Sequence, residues 1–139
     1  MFLRTLAMAA AVATLATPAA TLAAGQDHET VRPVFQHAIP NIPGKSLVSV
    51  LVDYPPGAKS APHTHAKSAF IYAHVLSGAV RSKVDDGPAK VYRAGESFFE
   101  PPGAHHGVSE NASTTEPAQL LAVFVVDTDE SALTTPDQH

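Results

Sequence analysis

Residues 57–65 read Gly-Ala-Lys-Ser-Ala-Pro-His-Thr-His, and the prediction of the fold begins with this stretch. It sets two histidines, His63 and His65, one residue apart. On an extended chain alternate side chains leave the same face, so both imidazoles can reach one point. Because a metal site needs further ligands, another part of the chain has to supply them.

A second stretch, residues 95–106, reads Gly-Glu-Ser-Phe-Phe-Glu-Pro-Pro-Gly-Ala-His-His. Its Pro-Pro-Gly turn would deliver a third histidine from a different strand. Neutral imidazoles suit Fe, Mn, Ni, Cu, Co or Zn alike. The two stretches together predict a site for one divalent transition metal, whose identity the sequence leaves open.

The two stretches resemble the two motifs of the cupin superfamily, written G-x5-H-x-H-x3/4-E-x6-G and G-x5-P-x-G-x2-H-x3-N. The matching residues fall in both motifs, and they are Gly57, His63, His65, Gly78, Gly95, Pro101, Gly103 and His106. The resemblance implies a double-stranded β-helix over residues 47–126. It also implies metal ligation by His63, His65 and His106, because the spacing after Gly103 selects His106 over the neighbouring His105.

The glutamate of the first motif is missing from this chain. It would fall at Ala69 or Phe70 when counted forward from the histidines, and at Ile71 when counted back from the motif's last glycine. None of these three side chains can bind a cation. The resemblance therefore leaves the acid of the site unassigned.

The strand that follows the first motif carries an extra residue. Twelve residues separate His65 from Gly78, whereas the family pattern has 10 or 11. A β-bulge would hold the additional residue, and it could re-aim Tyr72 or His74. Tyr72 is thereby a candidate catalytic residue, with packing on a regular strand as the alternative for both side chains.

Glu100 is the stronger candidate for a catalytic residue. It directly precedes Pro101, at a position that is apolar and interior in the resembled family. A buried carboxylate is costly unless it is paired or binds a metal. Glu100 is therefore expected to be a fourth ligand or a general acid/base beside the metal, the alternative being a strand end that faces the solvent.

The remainder of the chain predicts an all-β fold. About seven short segments of β-branched and apolar residues are separated by Gly, Pro and Asp turns, and no helical pattern follows residue 25. We divide the sequence into an N-terminal edge segment (25–46), a cupin barrel (47–126) and a polar C-terminal tail (127–139). Asn111 is interpreted as a loop asparagine or as the shifted asparagine of the second motif.

Residues 1–24 have the pattern of a secretory signal peptide. Arg4 precedes an apolar run over residues 6–15, and small residues end at Ala24. The protein is therefore expected to be exported, to the periplasm or the medium, and to begin near Gly25. The chain has no cysteine, so neither disulfides nor lipid attachment is expected.

Charge restricts the expected partners. Without the signal peptide the chain has 8 Lys and Arg against 13 Asp and Glu, a formal charge of -5 with no basic cluster. Nucleic acid and anionic membrane surfaces are therefore poor partners. A small-molecule ligand or substrate is expected instead, and a homodimer would cover the exposed sheet edges of a small barrel.

Two classes of function fit these residues. The first is a mononuclear-metal enzyme, dioxygenase-like or isomerase-like, that acts on a small oxygenated molecule. The second is a cupin module that binds a metal or a small ligand without turnover. Because one fold hosts many chemistries, the resemblance does not choose between them.

Overall fold

A computed structural model describes residues 27–138, and these residues form ten β-strands and no helix. The strands are β1 (Thr30–Ala38), β2 (Lys45–Tyr54), β3 (His63–His65), β4 (Phe70–Ser77), β5 (Ala79–Val84), β6 (Lys90–Arg93), β7 (Ser97–Glu100), β8 (His105–Asn111), β9 (Ala118–Asp127) and β10 (Thr134–Pro136). The all-β prediction is confirmed. The predicted signal peptide lies outside the described residues, among which no helix is long and apolar enough to span a membrane.

The strands form two five-stranded antiparallel sheets. The first sheet has the order β1-β2-β9-β4-β7, and the second has the order β10-β3-β8-β5-β6. In β9 every second residue from Ala118 to Val126 is buried, which is the period that a strand with one covered face requires. These side chains and the inward residues of β2 and β4 form a single hydrophobic core.

Part of the outer face of the first sheet is also apolar. Leu121, Val123 and Val125 of β9 point outward between their buried neighbours. The rings of Phe70 and Phe99 lie beside them with centroids 5.9 Å apart, and Phe99 is 62% exposed. We call these five side chains the outer patch.

Two β-bulges absorb the departures from the motif spacing. In the β4–β9 pairing the register shifts between Val75 and Ser77, so the additional residue is Leu76. In the β5–β8 pairing Val84 faces His106 while Lys83 faces Val108, so Gly107 is the additional residue. The bulge in β8 allows the inward alternation to continue at Ser109 and Asn111 beyond the extra residue.

Gly78 shows why a motif glycine is needed where β4 turns into β5. Its φ is +68°, and a Cβ at this position would collide with the carbonyl oxygen of Pro117. Only glycine adopts this conformation without a steric cost. The residue therefore fixes the turn that aligns β4 with β5.

The strands extend past the predicted barrel of residues 47–126 at both ends. β1 pairs with β2 along the edge of the first sheet. The predicted polar tail contains β10, in which Thr134 faces His65 and Pro136 faces His63. The tail is therefore a part of the second sheet and borders the histidine pair.

Asn111 is buried and serves as a fixed anchor rather than an open loop residue. Its Nδ2 donates to the carbonyl oxygens of Tyr54, Pro55 and Glu116, at 3.2, 3.1 and 2.8 Å. Its Oδ1 accepts from the Ser113 backbone at 2.8 Å. These bonds tie the end of β8 to the end of β2.

Candidate metal centre

Three histidines meet on the inner face of the second sheet. His63 and His65 alternate along β3, and His63 is paired with His106 of β8. Directly opposed residues of an antiparallel pair share one face of the sheet. One ring nitrogen from each histidine can be chosen so that all lie within 4.8 Å of one another. Pairing and alternation thus gather the three predicted ligands.

Backbone carbonyls fix the tautomers of the first two rings. His63 Nδ1 lies 2.8 Å from the carbonyl oxygen of Ala61, and His65 Nδ1 lies 3.3 Å from that of Leu133. Because a carbonyl only accepts, each neutral ring donates from Nδ1 and has its lone pair on Nε2. This is the support that a ligating histidine usually receives from its surroundings.

His106 is held by a side chain instead. Its Nε2 is 2.8 Å from Ser82 Oγ, and its Nδ1 is 3.3 Å from Glu100 Oε2. Burial lowers the pKa of His106 to about 4; the neighbouring histidines contribute to the decrease, and Glu100 opposes it. The ring is therefore neutral near pH 7 and can offer a lone pair to a cation.

Glu100 occupies the interior beside these rings. It is the final residue of β7 and is 3% exposed. Its cross-strand partner is Ile71, one of the positions where the missing glutamate of the first motif would fall. The carboxylate is thus present in the site but comes from the adjacent strand.

Glu100 and His65 make a contact between two hydrogen-bond acceptors. Glu100 Oε2 is 2.9 Å from His65 Nε2. Although they are this close, the two buried atoms form no hydrogen bond with each other or with any other described residue. With the His65 lone pair on Nε2, the contact is unfavourable unless a cation or a proton lies between the atoms.

The donor set fits a divalent metal. Ligand atoms about 2.0 to 2.2 Å from one ion lie roughly 3 to 3.5 Å from each other in tetrahedral or octahedral geometry. The separations of 2.9 and 3.3 Å from Glu100 Oε2 to the two imidazole nitrogens are close to this spacing. Three imidazoles and one carboxylate suit Fe, Mn, Ni, Cu, Co and Zn.

The four side chains line a cavity of ≈ 390 Å³ between the sheets. Most of its wall is apolar, including Val50, Leu120 and Phe124. A group that we call the hydroxyl cluster, formed by Tyr54, Ser60 and Ser109, also lines it.

The hydroxyl cluster is internally bonded. Tyr54 Oη lies 2.7 Å from Ser109 Oγ and 3.0 Å from Ser60 Oγ. Burial raises the pKa of Tyr54, so it stays a neutral hydroxyl. The cavity thus contains a second polar group besides the histidines and Glu100.

The structure corrects the expectation for Tyr72. Because the β4 bulge falls at Leu76, the strand alternates regularly through Tyr72 and keeps it on the outer face, where it is 44% exposed. Its hydroxyl lies 2.9 Å from Ser97 Oγ. Tyr72 does not line the cavity.

His105 also points away from the centre. It is exposed, and its Nε2 lies 2.8 Å from Asp137 Oδ2. Ser82, Leu133 and the hydroxyl cluster were not found from the sequence. Ser82 could have been, since it shares the inward alternation of Val80 on β5.

A family model for the cupin domain matches residues 50–124, more than half of the chain. The chain belongs to the cupin superfamily. The double-stranded β-helix predicted from the motifs agrees with solved structures of the same fold. No curated protein sequence matches this cupin.

Three solved structures illustrate the likeness. TT1209 from Thermus thermophilus is 28% identical, with 71% of this chain and 84% of that one covered and a TM-score of 0.58. A double-stranded β-helix protein from Klebsiella pneumoniae is 19% identical, with 81% and 86% covered and a TM-score of 0.62. An oxalate oxidase in complex with the substrate analogue glycolate is 23% identical, with 72% of this cupin and 52% of that chain covered and a TM-score of 0.58.

Proposed function

We propose that this cupin is a metal-dependent enzyme of the oxidoreductase class that acts on a small molecule. His63, His65, His106 and Glu100 would hold one divalent transition metal at the wall of the cavity. When bound, the metal would supply a Lewis acid and, for Fe, Mn or Cu, a redox centre. Export to the periplasm or the medium remains part of the proposal.

The observation that carries the proposal is the contact between Glu100 Oε2 and His65 Nε2. Two buried acceptors 2.9 Å apart without a hydrogen bond need a positive charge between them. The carbonyl oxygen of Leu133 accepts a hydrogen bond from the Nδ1–H of His65, which leaves the Nε2 lone pair directed at the carboxylate. A cation bound by both atoms would satisfy both.

The cavity favours a catalytic site over a purely structural one. Structural metal sites are closed by protein ligands, whereas catalytic sites keep a position open for water or substrate. Four protein ligands would leave positions open on an octahedral ion, and these ligand residues border a cavity of ≈ 390 Å³, within the range of small-molecule pockets. Glu100 lies beside His65 and His106, so it is also placed to accept a proton from a bound substrate.

The test combines metal analysis with Glu100→Gln. Wild-type protein from its native compartment should contain close to one equivalent of metal, and the substitution should weaken metal retention. In metal-free protein the same substitution should leave the melting temperature unchanged or raise it, because the amide can donate to His65 Nε2 where the carboxylate could not. Weaker metal retention together with an unchanged or higher melting temperature distinguishes a metal ligand from a residue needed for folding.

His74→Ala and His105→Ala are the matched controls, since both histidines lie away from the centre. Both variants should stay loaded, whereas His106→Ala should lose the metal. A wild-type protein without metal, or a His105→Ala variant that loses it, would contradict the proposed site. A substrate screen on the loaded protein, followed by oxygen consumption, then tests the oxidoreductase class.

A further inference from the structure

Negative charge predominates on the wall of the cavity. Its ionisable side chains, besides the three histidines and the neutral Tyr54, are the two carboxylates Glu29 and Glu100. Within residues 27–138 no lysine or arginine lines the cavity. An anionic ligand would therefore find no cationic side chain to pair with.

The charges balance only for a neutral ligand. This inference rests on the proposed function, in which a divalent cation is bound. The cation would offset the negative charges of Glu100 and of Glu29, which is half-buried at the cavity wall. A monoanion would then add one uncompensated negative charge, and a dicarboxylate would add two. Unpaired charge beside a largely apolar wall is disfavoured.

The cavity wall disfavours charged ligands, but the cavity is large enough for a six-membered ring. The cavity of ≈ 390 Å³ is more than twice the size of the roughly 150 Å³ engineered cavity that takes up benzene. Phe124 stands beside the histidines, its ring centroid 5.6 Å from that of His65. A substituted six-membered ring would have an apolar surface to contact.

The hydroxyl cluster supplies a second polar anchor. Tyr54 and Ser109 are buried, and both residues line the same cavity as the histidines. A hydroxyl can donate one hydrogen bond and accept others, so the cluster can exchange bonds with a ligand hydroxyl. A ligand that reached it would be held at two ends, by the metal and by the cluster.

From these features we infer that the ligand is a neutral, largely apolar ring compound with two polar groups. One oxygen would contact the metal, and a hydroxyl would bond to Tyr54 and Ser109. Oxalate and similar dicarboxylates are excluded by the missing counter-charge, even though an oxalate oxidase shares the fold. The inference concerns the ligand class of the proposed site and can fail while the metal site stands.

The test compares probes of matched shape. Binding of 4-hydroxybenzamide, benzamide, 4-hydroxybenzoate and oxalate is measured by calorimetry on metal-loaded protein at neutral pH. The neutral amide should bind at least about tenfold more tightly than its carboxylate analogue, and oxalate should not bind. Equal or tighter binding of either carboxylate, or no binding of 4-hydroxybenzamide at millimolar concentration, would overturn the inference.

Two variants test the cause of the preference. Glu29→Gln should narrow the preference for the amide over the carboxylate by roughly two- to fivefold, the effect of a partly screened charge. Tyr54→Phe should remove the advantage of 4-hydroxybenzamide over benzamide, which should be roughly threefold or more in the wild type. Ser109→Ala provides the same test if Tyr54→Phe fails to fold. An unchanged preference for 4-hydroxybenzamide over benzamide would contradict the hydroxyl cluster as an anchor, and an unchanged preference for the amide over the carboxylate in Glu29→Gln would contradict the role of Glu29.

Metal content and the melting temperature are recorded for every sample. A chain that holds no metal contradicts the proposed function, whereas a loaded chain that prefers carboxylates contradicts only the ligand class. The preference can also be measured on metal-free protein. There Glu29 and Glu100 should make the exclusion of carboxylates stronger, because no cation offsets them.

Discussion

The position of the carboxylate in the site is determined by a strand pairing and not by the motif spacing along the chain. Glu100 faces Ile71 across β4 and β7, so its carboxylate enters the interior from the neighbouring strand. A motif describes positions along the chain and not the residues that face them on a neighbouring strand. The first motif therefore lacks its glutamate, although a carboxylate is present in the site. The position of Glu100 before Pro101 did suggest an interior carboxylate, but its contact with His65 required the fold.

Ser82 is a small polar residue on which the orientation of His106 depends. Its hydroxyl is 2.8 Å from His106 Nε2, and both side chains are buried. If Nε2 donates to the hydroxyl, the lone pair of the neutral ring lies on Nδ1, the atom nearest Glu100. Ser82 thus positions His106 without being a candidate metal ligand itself.

We predict that Ser82→Ala lowers the metal affinity by about 10- to 100-fold, the usual effect of removing such support. Competition against a fluorescent chelator would measure it. Ser97→Ala, the same change on the outer face, should leave the affinity as it is. Equal affinities for the two variants would show that His106 does not need its hydroxyl partner.

Among the elements, β4 and β8 show how far the motifs determine the fold. Each strand carries one residue more than the family pattern, and a slip of one residue would turn inward side chains outward. The bulges at Leu76 and Gly107 prevent this. The sequence predicted an extra residue before Gly78, but not its place. That place decides whether Tyr72 faces the cavity, because a bulge ahead of it would have reversed its direction.

β10 is an element that the sequence did not predict. Thr134, Thr135 and Pro136 are all exposed, so they show no alternation of apolar and polar residues. Their place depends on backbone pairing with β3, which the residue types do not reveal. Strong patterns, such as that of β9, were predicted because burial imposes them.

We predict that deletion of residues 129–139 lowers metal affinity by at least about tenfold, because it removes the Leu133 carbonyl that orients His65. Circular dichroism should still show a β-rich fold, since the core strands remain. Asp137→Ala is the control; it removes only an exposed partner of His105 and should change little. A truncated protein that binds metal as tightly as the full chain would exclude a role for β10 in the site.

In the molecule as a whole, the outer patch is an apolar surface that a single copy of the chain leaves exposed to solvent. Large contiguous apolar surfaces usually mark interaction sites. The homodimer expected from the sequence remains a prediction, and the patch is the surface on which we place it. Phe99, the most exposed of its rings, would become buried between two copies.

Phe99→Glu should therefore yield a monomer in light scattering coupled to size exclusion, whereas wild type should be a dimer. A charge placed in a buried apolar contact has no partner and is disfavoured. Val91→Glu places the same charge on β6, in the other sheet, and should remain dimeric. A monomeric wild type, or dissociation by Val91→Glu alone, would move the interface elsewhere.

The origin of the four candidate ligands has a consequence for how the two layers hold together. The three histidines belong to the second sheet, while Glu100 belongs to the first. A bound ion would therefore act as a cross-link between the layers, in a chain that has no cysteine for a disulfide. Chelation would release this link, and amide hydrogen exchange should then rise in β3 and β7 together, although these strands are not neighbours in either sheet.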